Sequence, residues 1–290
     1  MSRFQSFVAI DWSGAVGPRQ PGIAVAMCHE GCTAPQLVAP PDGNATWSRQ
    51  AVLDWLLTGL PPDSLVGFDI GASFAFADKG AYFPHWDRSP PDARALWALI
   101  EEICKDDPHL AATSFVEHPV ARAYFRHRGA EGAHFGGGRG RLRVAEVAQG
   151  EQGLNPYSNF NLVGAAQVGK STLTGIRVLH RLQQHFPIWP FDLDPGSGSL
   201  IVEIYTSLAA REAGKRKGQT KVWTGEELDR CLARFGCDAH LPLPRYSDHQ
   251  TDALLTAAWL RHAHECPQLW APRDRLPEIM RTEGWTFGVL

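Results

Sequence analysis

Phe7-Val8-Ala9-Ile10-Asp11-Trp12-Ser13-Gly14 is a short apolar run closed by one carboxylate and a tight turn. Apolar residues ahead of an Asp and a Gly read as a buried strand whose last side chain emerges where the chain reverses. A buried carboxylate without a partner is costly, so Asp11 needs an ion pair, a cap or a cation. The same grammar recurs at Leu65-Val66-Gly67-Phe68-Asp69-Ile70-Gly71 and at Leu200-Ile201-Val202-Glu203-Ile204-Tyr205. Taken alone, Asp11 reads equally well as a cap on the next turn. Taken together, the three strands predict carboxylates gathered at one edge of a sheet.

Outward from Asp11, a Gly- and Pro-rich turn leads to a second strand over Gly22 to Met27, and Gln36 to Ala39 is a weaker third strand ended by Pro40-Pro41. With Thr46 as N-cap, the spacing of Ala51, Val52, Trp55, Leu56 and Leu60 predicts a helix stopped by Pro61-Pro62. Because a helix intervenes, the strand ending at Asp69 can lie parallel to the first. Residues from about 90 to 195 then read as a mostly helical insertion between the fourth and fifth strands. Its regular parts are an amphipathic helix over Asp92 to Lys105, carrying Leu96, Leu99, Ile100 and Ile103 on one face, and a later one over Thr174 to Phe186. Late in the chain, Asp248 to Leu260 is strongly helical, with Asp248 and Asp252 four apart on one face. Asp248 has the position of an N-cap, whereas Asp252, beside an Ala-Leu-Leu face, does not. Glu283 to Val289 reads as a small closing strand.

Two segments are basic. Six arginines lie between Arg122 and Arg143, interleaved with Tyr124, Phe125, Phe135 and glycines, and Arg211, Lys215, Arg216, Lys217 and Lys221 follow the third acidic strand. As nucleic-acid contacts the candidates are Arg139, Arg141, Arg143, Lys215, Arg216 and Lys217, neutralising phosphates from a mobile arm; the alternative is a solvated loop. Gly164 to Ser171 matches G-x4-G-K-S, the phosphate-cradling loop of P-loop enzymes. The residues before it, Tyr157 to Val163, make a poor buried strand, and no aspartate-ended magnesium strand follows, so the motif lacks its context. The tryptophans read as packing residues more than as a stacking platform.

The 290 residues, 44% of them hydrophobic, suffice for a large core, and a formal net charge of −3 argues against a polycationic nucleic-acid binder, so a polyanion would be met locally. The six cysteines form no CxxC pair, which fits reduced thiols. With neither a signal peptide nor a long apolar span evident, the expectation is one cytoplasmic domain over 1–290 with no membrane partner.

The segments VAIDWSGA, VGFDIGASFA, AAQVGKSTLTGI with IWPFD after it, VEIYTS, SDHQTDALLTAAWL and EGWTFGV together resemble the domain-of-unknown-function 429 family of predicted ribonuclease-H-like nucleases, over nearly the whole chain. The resemblance implies an α/β fold with a ribonuclease-H-like mixed sheet flanked by helices, in which the first and fourth strands lie side by side. It also implies that Gly164 to Ser171 is a family loop and not an NTPase loop. DHQTDAL is similar to the late helix of RuvC-type resolvases, where paired acids complete a two-metal site, although theirs are three apart.

Carboxylates crowded together repel, and one retains its proton unless a divalent cation is present. Hard oxygen ligands suit Mg²⁺ or Mn²⁺, and two such ions about 4 Å apart can activate water and stabilise the leaving oxygen of a phosphodiester. Asp11, Asp69 and Asp252 are therefore the expected ligands of a metal-dependent nuclease, with Asp248 as a further ligand and Glu203 as fourth ligand or general base. Two alternatives remain open on the sequence. One is an actin-like-fold ATP-dependent kinase or ATPase, to which Asp69-Ile70-Gly71-Ala72-Ser73 would supply a phosphate turn. The other is a protein that binds nucleic acid without cleaving it.

Overall fold

A computed structural model describes residues 2–164, 167–271 and 276–290. Its centre is a six-stranded sheet built from β1 (Ser6–Asp11), β2 (Ala24–His29), β3 (Gln36–Leu37), β4 (Ser64–Asp69), β7 (Ile188–Trp189) and β8 (Leu200–Glu203) in the order β3-β2-β1-β4-β8-β7. Strands β1, β2 and β3 pair antiparallel, whereas β1, β4, β8 and β7 run parallel, so the sheet is mixed. The first and fourth strands are neighbours, and the chain crosses between them through α1 (Arg49–Thr58).

Alternation along the strands explains why both sheet faces are buried. Val8, Ile10, Val66, Phe68 and Ile201 enter one core, beneath α1, α2 (Ala93–Cys104) and α5 (Val168–Leu182). Phe7, Ala9, Leu65, Leu200 and Val202 enter the other, beneath α6 (Thr206–Glu212), α7 (Gly225–Ala233) and α8 (Asp248–Ala263). Small residues let α8 lie close. A Cβ on Gly67 would stand 2.8 Å from Leu260 of that helix, so glycine there permits the approach. Since α8 is sheathed by the sheet on one side and α6 and α7 on the other, Thr251 to Leu260 are buried all round.

The stretch expected as an insertion carries α2, α3 (Thr113–Glu117), the hairpin β5 (Arg126–His127) and β6 (Ala130–Glu131), α4 (Val144–Glu151), α5 and the edge strand β7. Its helices α2 and α5 cover a sheet face, with Trp97, Leu173 and Ile176 packed in the same core as Val8. Several boundaries differ from the sequence reading. Ser48, not Thr46, caps α1 by accepting from the Ala51 amide, and α5 begins at Val168, ahead of the expected Thr174. The closing strand reduces to one bridge between Thr286 and Glu203, preceded by α9 (Pro277–Thr282). Most tryptophans are packed inside, with Trp223 exposed. Among the described residues no helix is long and apolar enough to cross a membrane.

Candidate active site

Asp11 and Asp69 are Cα partners at the ends of adjacent parallel strands, so their side chains leave the sheet on the same face, the one that α8 covers. Ser247 caps α8 in a capping box with Gln250, which makes Asp248 the first helical residue and not the cap. Asp252 follows one turn later and is buried beside an otherwise apolar and small-residue face. The sheet edge and the helix thus bring together Asp11, Asp69 and Asp252, with Asp248 at the rim.

Lys221 and His249 stand among these acids. The Lys221 ammonium donates to Asp252 Oδ2 at 2.5 Å and lies 3.7 Å from Asp248 Oδ2. His249, between the two α8 aspartates in sequence, has Nδ1 3.4 Å from Asp11 Oδ2 and Nε2 3.8 Å from Asp248 Oδ1. Burial raises the Asp11 pKa, opposed by His249 and Lys221. For Asp69 burial again comes first; the charges of Asp11 and Asp252 add to it, and the pKa lies well above the ordinary range although Lys221 and the Thr206 amide act against it. Asp252 is pushed up to about 6, chiefly by burial, with Lys221 the main opposing charge. The hydrogen bond to Asp11 raises His249. Burial disfavours the charge on Lys221, but Asp252, Asp11 and Asp248 outweigh it and hold its pKa above the usual lysine value.

The cluster therefore sets four carboxyl groups against one ammonium and one imidazole, and its donors are hard oxygens, the chemistry that suits Mg²⁺ or Mn²⁺. As the side chains stand, Asp252 is turned to Lys221 and Asp11 to His249. Among the described residues no group of three or more His, Cys, Asp or Glu side chains is arranged around a metal position.

Glu203 does not join the cluster. Its Cα partner is Phe68, one residue short of Asp69, so alternation sends its side chain to the opposite sheet face. There Oε1 accepts from Arg143 Nη2 at 2.5 Å and from the Thr286 hydroxyl, while Oε2 accepts from Arg143 Nη1 at 2.8 Å and the Ala72 amide at 2.7 Å. With both oxygens engaged, the expected role as fourth ligand or general base is replaced by a structural one.

The basic segment is corrected in the same way. Arg143 is 1% exposed and also binds Glu146, at 2.7 Å from Nε. Arg141 is 7% exposed, paired with Asp78 at 2.6 Å and donating to the carbonyls of Ala75, Ala81 and Tyr82. Neither can reach a phosphate from a mobile arm. Arg139 is exposed and donates to Asn155 Oδ1 at 2.8 Å. In the second basic run Lys215 pairs with Glu227, whereas Arg216 and Lys217 are exposed.

Within the G-x4-G-K-S segment, Ala165 and Ala166 lie outside the described residues. Its second glycine serves packing: a Cβ on Gly169 would stand 2.2 Å from the Asn159 carbonyl oxygen. Gly14, in the turn after β1, meets the Lys170 backbone as closely, at 2.3 Å from its carbonyl carbon.

The sequence reading left Lys221 and His249 out of the site. His249 could have been found from its place in DHQTD, one residue beyond Asp248; Lys221 is drawn in by a fold contact 31 positions away that no local pattern announces. Beside Asp69 opens a cleft of about 140 Å³, walled by Trp12, Tyr157, Asn159, Ser171 and Tyr205 and floored by the Arg143–Glu203 pair. Comparison of the chain with protein-family models, with curated proteins and with solved structures finds no match.

Proposed function

We propose that the chain is a ribonuclease-H-like nuclease that hydrolyses phosphodiester bonds with Mg²⁺ or Mn²⁺ held by Asp11, Asp69 and Asp252, with Asp248 at the rim. The observation that carries this reading is the register of β1 and β4, which sets Asp11 beside Asp69 under a helix carrying Asp252, three buried acids whose pKa values all rise. An apolar residue at each position would be more stable unless the acids serve a cation. The strand order β3-β2-β1-β4-β8-β7 sets the first and fourth strands side by side, as expected of a ribonuclease-H-like sheet, and supports the same reading.

Bound there, a divalent ion would supply water activation and neutralise charge on the phosphate. The chain's own groups do the rest. Lys221 keeps 45% of its side chain exposed, so it can exchange Asp252 for a phosphate oxygen without a large rearrangement. His249, 40% exposed and raised in pKa, is placed to hold a proton at Nδ1 or Nε2 for the leaving oxygen. The kinase alternative is disfavoured because protein atoms fill its turn. A Cβ on Gly71 would lie 2.2 Å from Asn159 Nδ2, and the Ala72 amide is given to Glu203.

The test is Mn²⁺-dependent cleavage of end-labelled single-stranded and duplex oligonucleotides. Asp11→Asn, Asp69→Asn and Asp252→Asn should each lower the rate by about 100-fold or more, since even losses around metal ligands cost roughly 10- to 100-fold. Unchanged cleavage in all three variants, or none in the wild type, would sink the reading.

A further inference from the structure

The cleft beside Asp69 does not end at its tyrosines. A second cleft of about 160 Å³ is lined by Asn155, Ser207, Arg211, Lys217 and Thr220, and Tyr157 and Tyr205 wall both. Both rings are tied to Asn155: its Nδ2 donates to Tyr157 Oη at 3.0 Å, and its backbone carbonyl accepts from Tyr205 Oη at 3.4 Å. Arg139 donates to the same Asn155 side chain, which sets an exposed guanidinium at the mouth of this channel. Tyr157 keeps 39% of its surface open, more than packing requires. Taken as one channel, the two clefts carry Asp69, then the two tyrosines, then Arg211 and Lys217, with Arg139 beside them through Asn155.

We infer that this channel binds one strand of nucleic acid, with a base against Tyr157 and Tyr205, the phosphate on one side at the acids and the next phosphate at Arg211 and Lys217. The inference rests on the nuclease reading for the acids alone; the aromatic and basic parts stand without it. Bases offer a π-face to tyrosine whatever their identity, and backbone-tracking cations supply affinity without sequence choice, so this combination suits single strands. The acidic groups on the channel floor do not repel a strand strongly, because Arg143 engages both Glu203 and Glu146. Only Asp69 faces the channel from the proposed catalytic cluster.

Binding is measured by fluorescence anisotropy with labelled oligo(dT), oligo(U) and a duplex of equal length, on the full chain in EDTA so that cleavage does not intervene. At least one single strand should bind tenfold or more tighter than the duplex. Tyr157→Ala should weaken it roughly 5- to 150-fold, the loss of one stacked base, whereas Tyr157→Phe should restore it. Replacing Arg211 and Lys217 together by Gln should lower the slope of log affinity against log salt by about 1.4, since each single-strand phosphate contact contributes about 0.7. Equal or tighter duplex binding, indifference to Tyr157→Ala, or no binding at all would overturn the inference. Strand binding that behaves as expected without any Mn²⁺ cleavage would defeat the nuclease reading and leave the channel standing; cleavage confined to duplex would do the reverse.

Discussion

Glu203 and Asp69 end neighbouring strands with the same kind of side chain and line the same cleft, yet one is locked in an ion pair with Arg143 and the other stands among acids. The difference is parity. Glu203 aligns with Phe68 and Asp69 with Asp11, so the two carboxylates leave opposite faces of the sheet. In strands buried on both faces the apolar pattern is continuous, and the sequence carries no mark of which face a given residue takes. Asp11, Asp69 and Asp252 were legible because an acid interrupts an apolar run; the partners that complete their surroundings were not. Arg143 makes the same point from the basic side, where a run of arginines and glycines reads as solvated although Arg143 spans Glu146 and Glu203. Removing one member of such a buried group leaves unpaired charge, so Arg143→Met should destabilise the fold by about 3–5 kcal/mol. Arg139→Gln, at an exposed position, should change stability by no more than about 0.5 kcal/mol. Urea denaturation of both variants checks the contrast; an Arg143 variant as stable as the wild type but poorer in nucleic-acid binding would return that residue to the interface.

Helix α5 carries the G-K-S sequence for a reason found in its packing. Glycine in a helix interior costs about 1 kcal/mol relative to alanine, and less at Gly169, the second residue of α5, so on propensity alone Gly169→Ala is neutral to stabilising. At this position, however, the added Cβ would stand 2.2 Å from the backbone oxygen of Asn159. A backbone atom cannot swing aside as a flexible side chain does, and overpacking of this kind costs typically about 1–3 kcal/mol. Gly169→Ala is therefore expected to lower stability, whereas Lys170→Ala should leave both stability and Mn²⁺-dependent cleavage within a few fold, with no Mg-ATP binding by calorimetry in either protein. A stabilised Gly169 variant, or heat from ATP that vanishes with Lys170, would restore the nucleotide-loop reading. Element identity was marked in the sequence by apolar period in α2 and by a nearly continuous run of apolar and small residues in α8, and boundaries less so. The start of α5 at Val168 is hidden because Gly, Lys and Ser there carry no apolar period, and the two-residue strands β3 and β7 depend on neighbours that only the folded sheet supplies.

At the scale of the whole molecule, the sheet order follows from the sequence of elements: three strands, a helix and a fourth strand returning beside the first. That return concentrates like charge at one edge, and this has a consequence for stability. The folded pKa values of Asp11, Asp69 and Asp252 lie above the unfolded value of about 3.9, with Asp252 at about 6. The folded protein therefore binds more protons than the unfolded chain in this window. Stability contributed by these groups is present below about pH 4 and lost as pH rises through their folded values. His249, also raised, acts in the same direction, its contribution fading as pH passes its folded value above 6.5. His127 and His180 are lowered by burial and oppose the trend, and Asp194 and Glu101, held low by arginines, act only in more acid solution. Because the histidines blur the net profile, the decisive comparison is with Asp69→Asn, which removes one charge from the cluster. Metal-free wild type should lose about 4 °C or more in Tm between pH 5 and pH 8 relative to that variant, a difference of about 1–2 kcal/mol. At pH 8 Mn²⁺ should raise the wild-type Tm and do so progressively less toward pH 5, as protons compete for the carboxylates. Asp69→Asn should show little of this metal shift at any pH. If the two proteins instead trace the same Tm profile, and Mn²⁺ moves both or neither, the clustered acids are not a cation site and the charge gathered at this edge has some other partner.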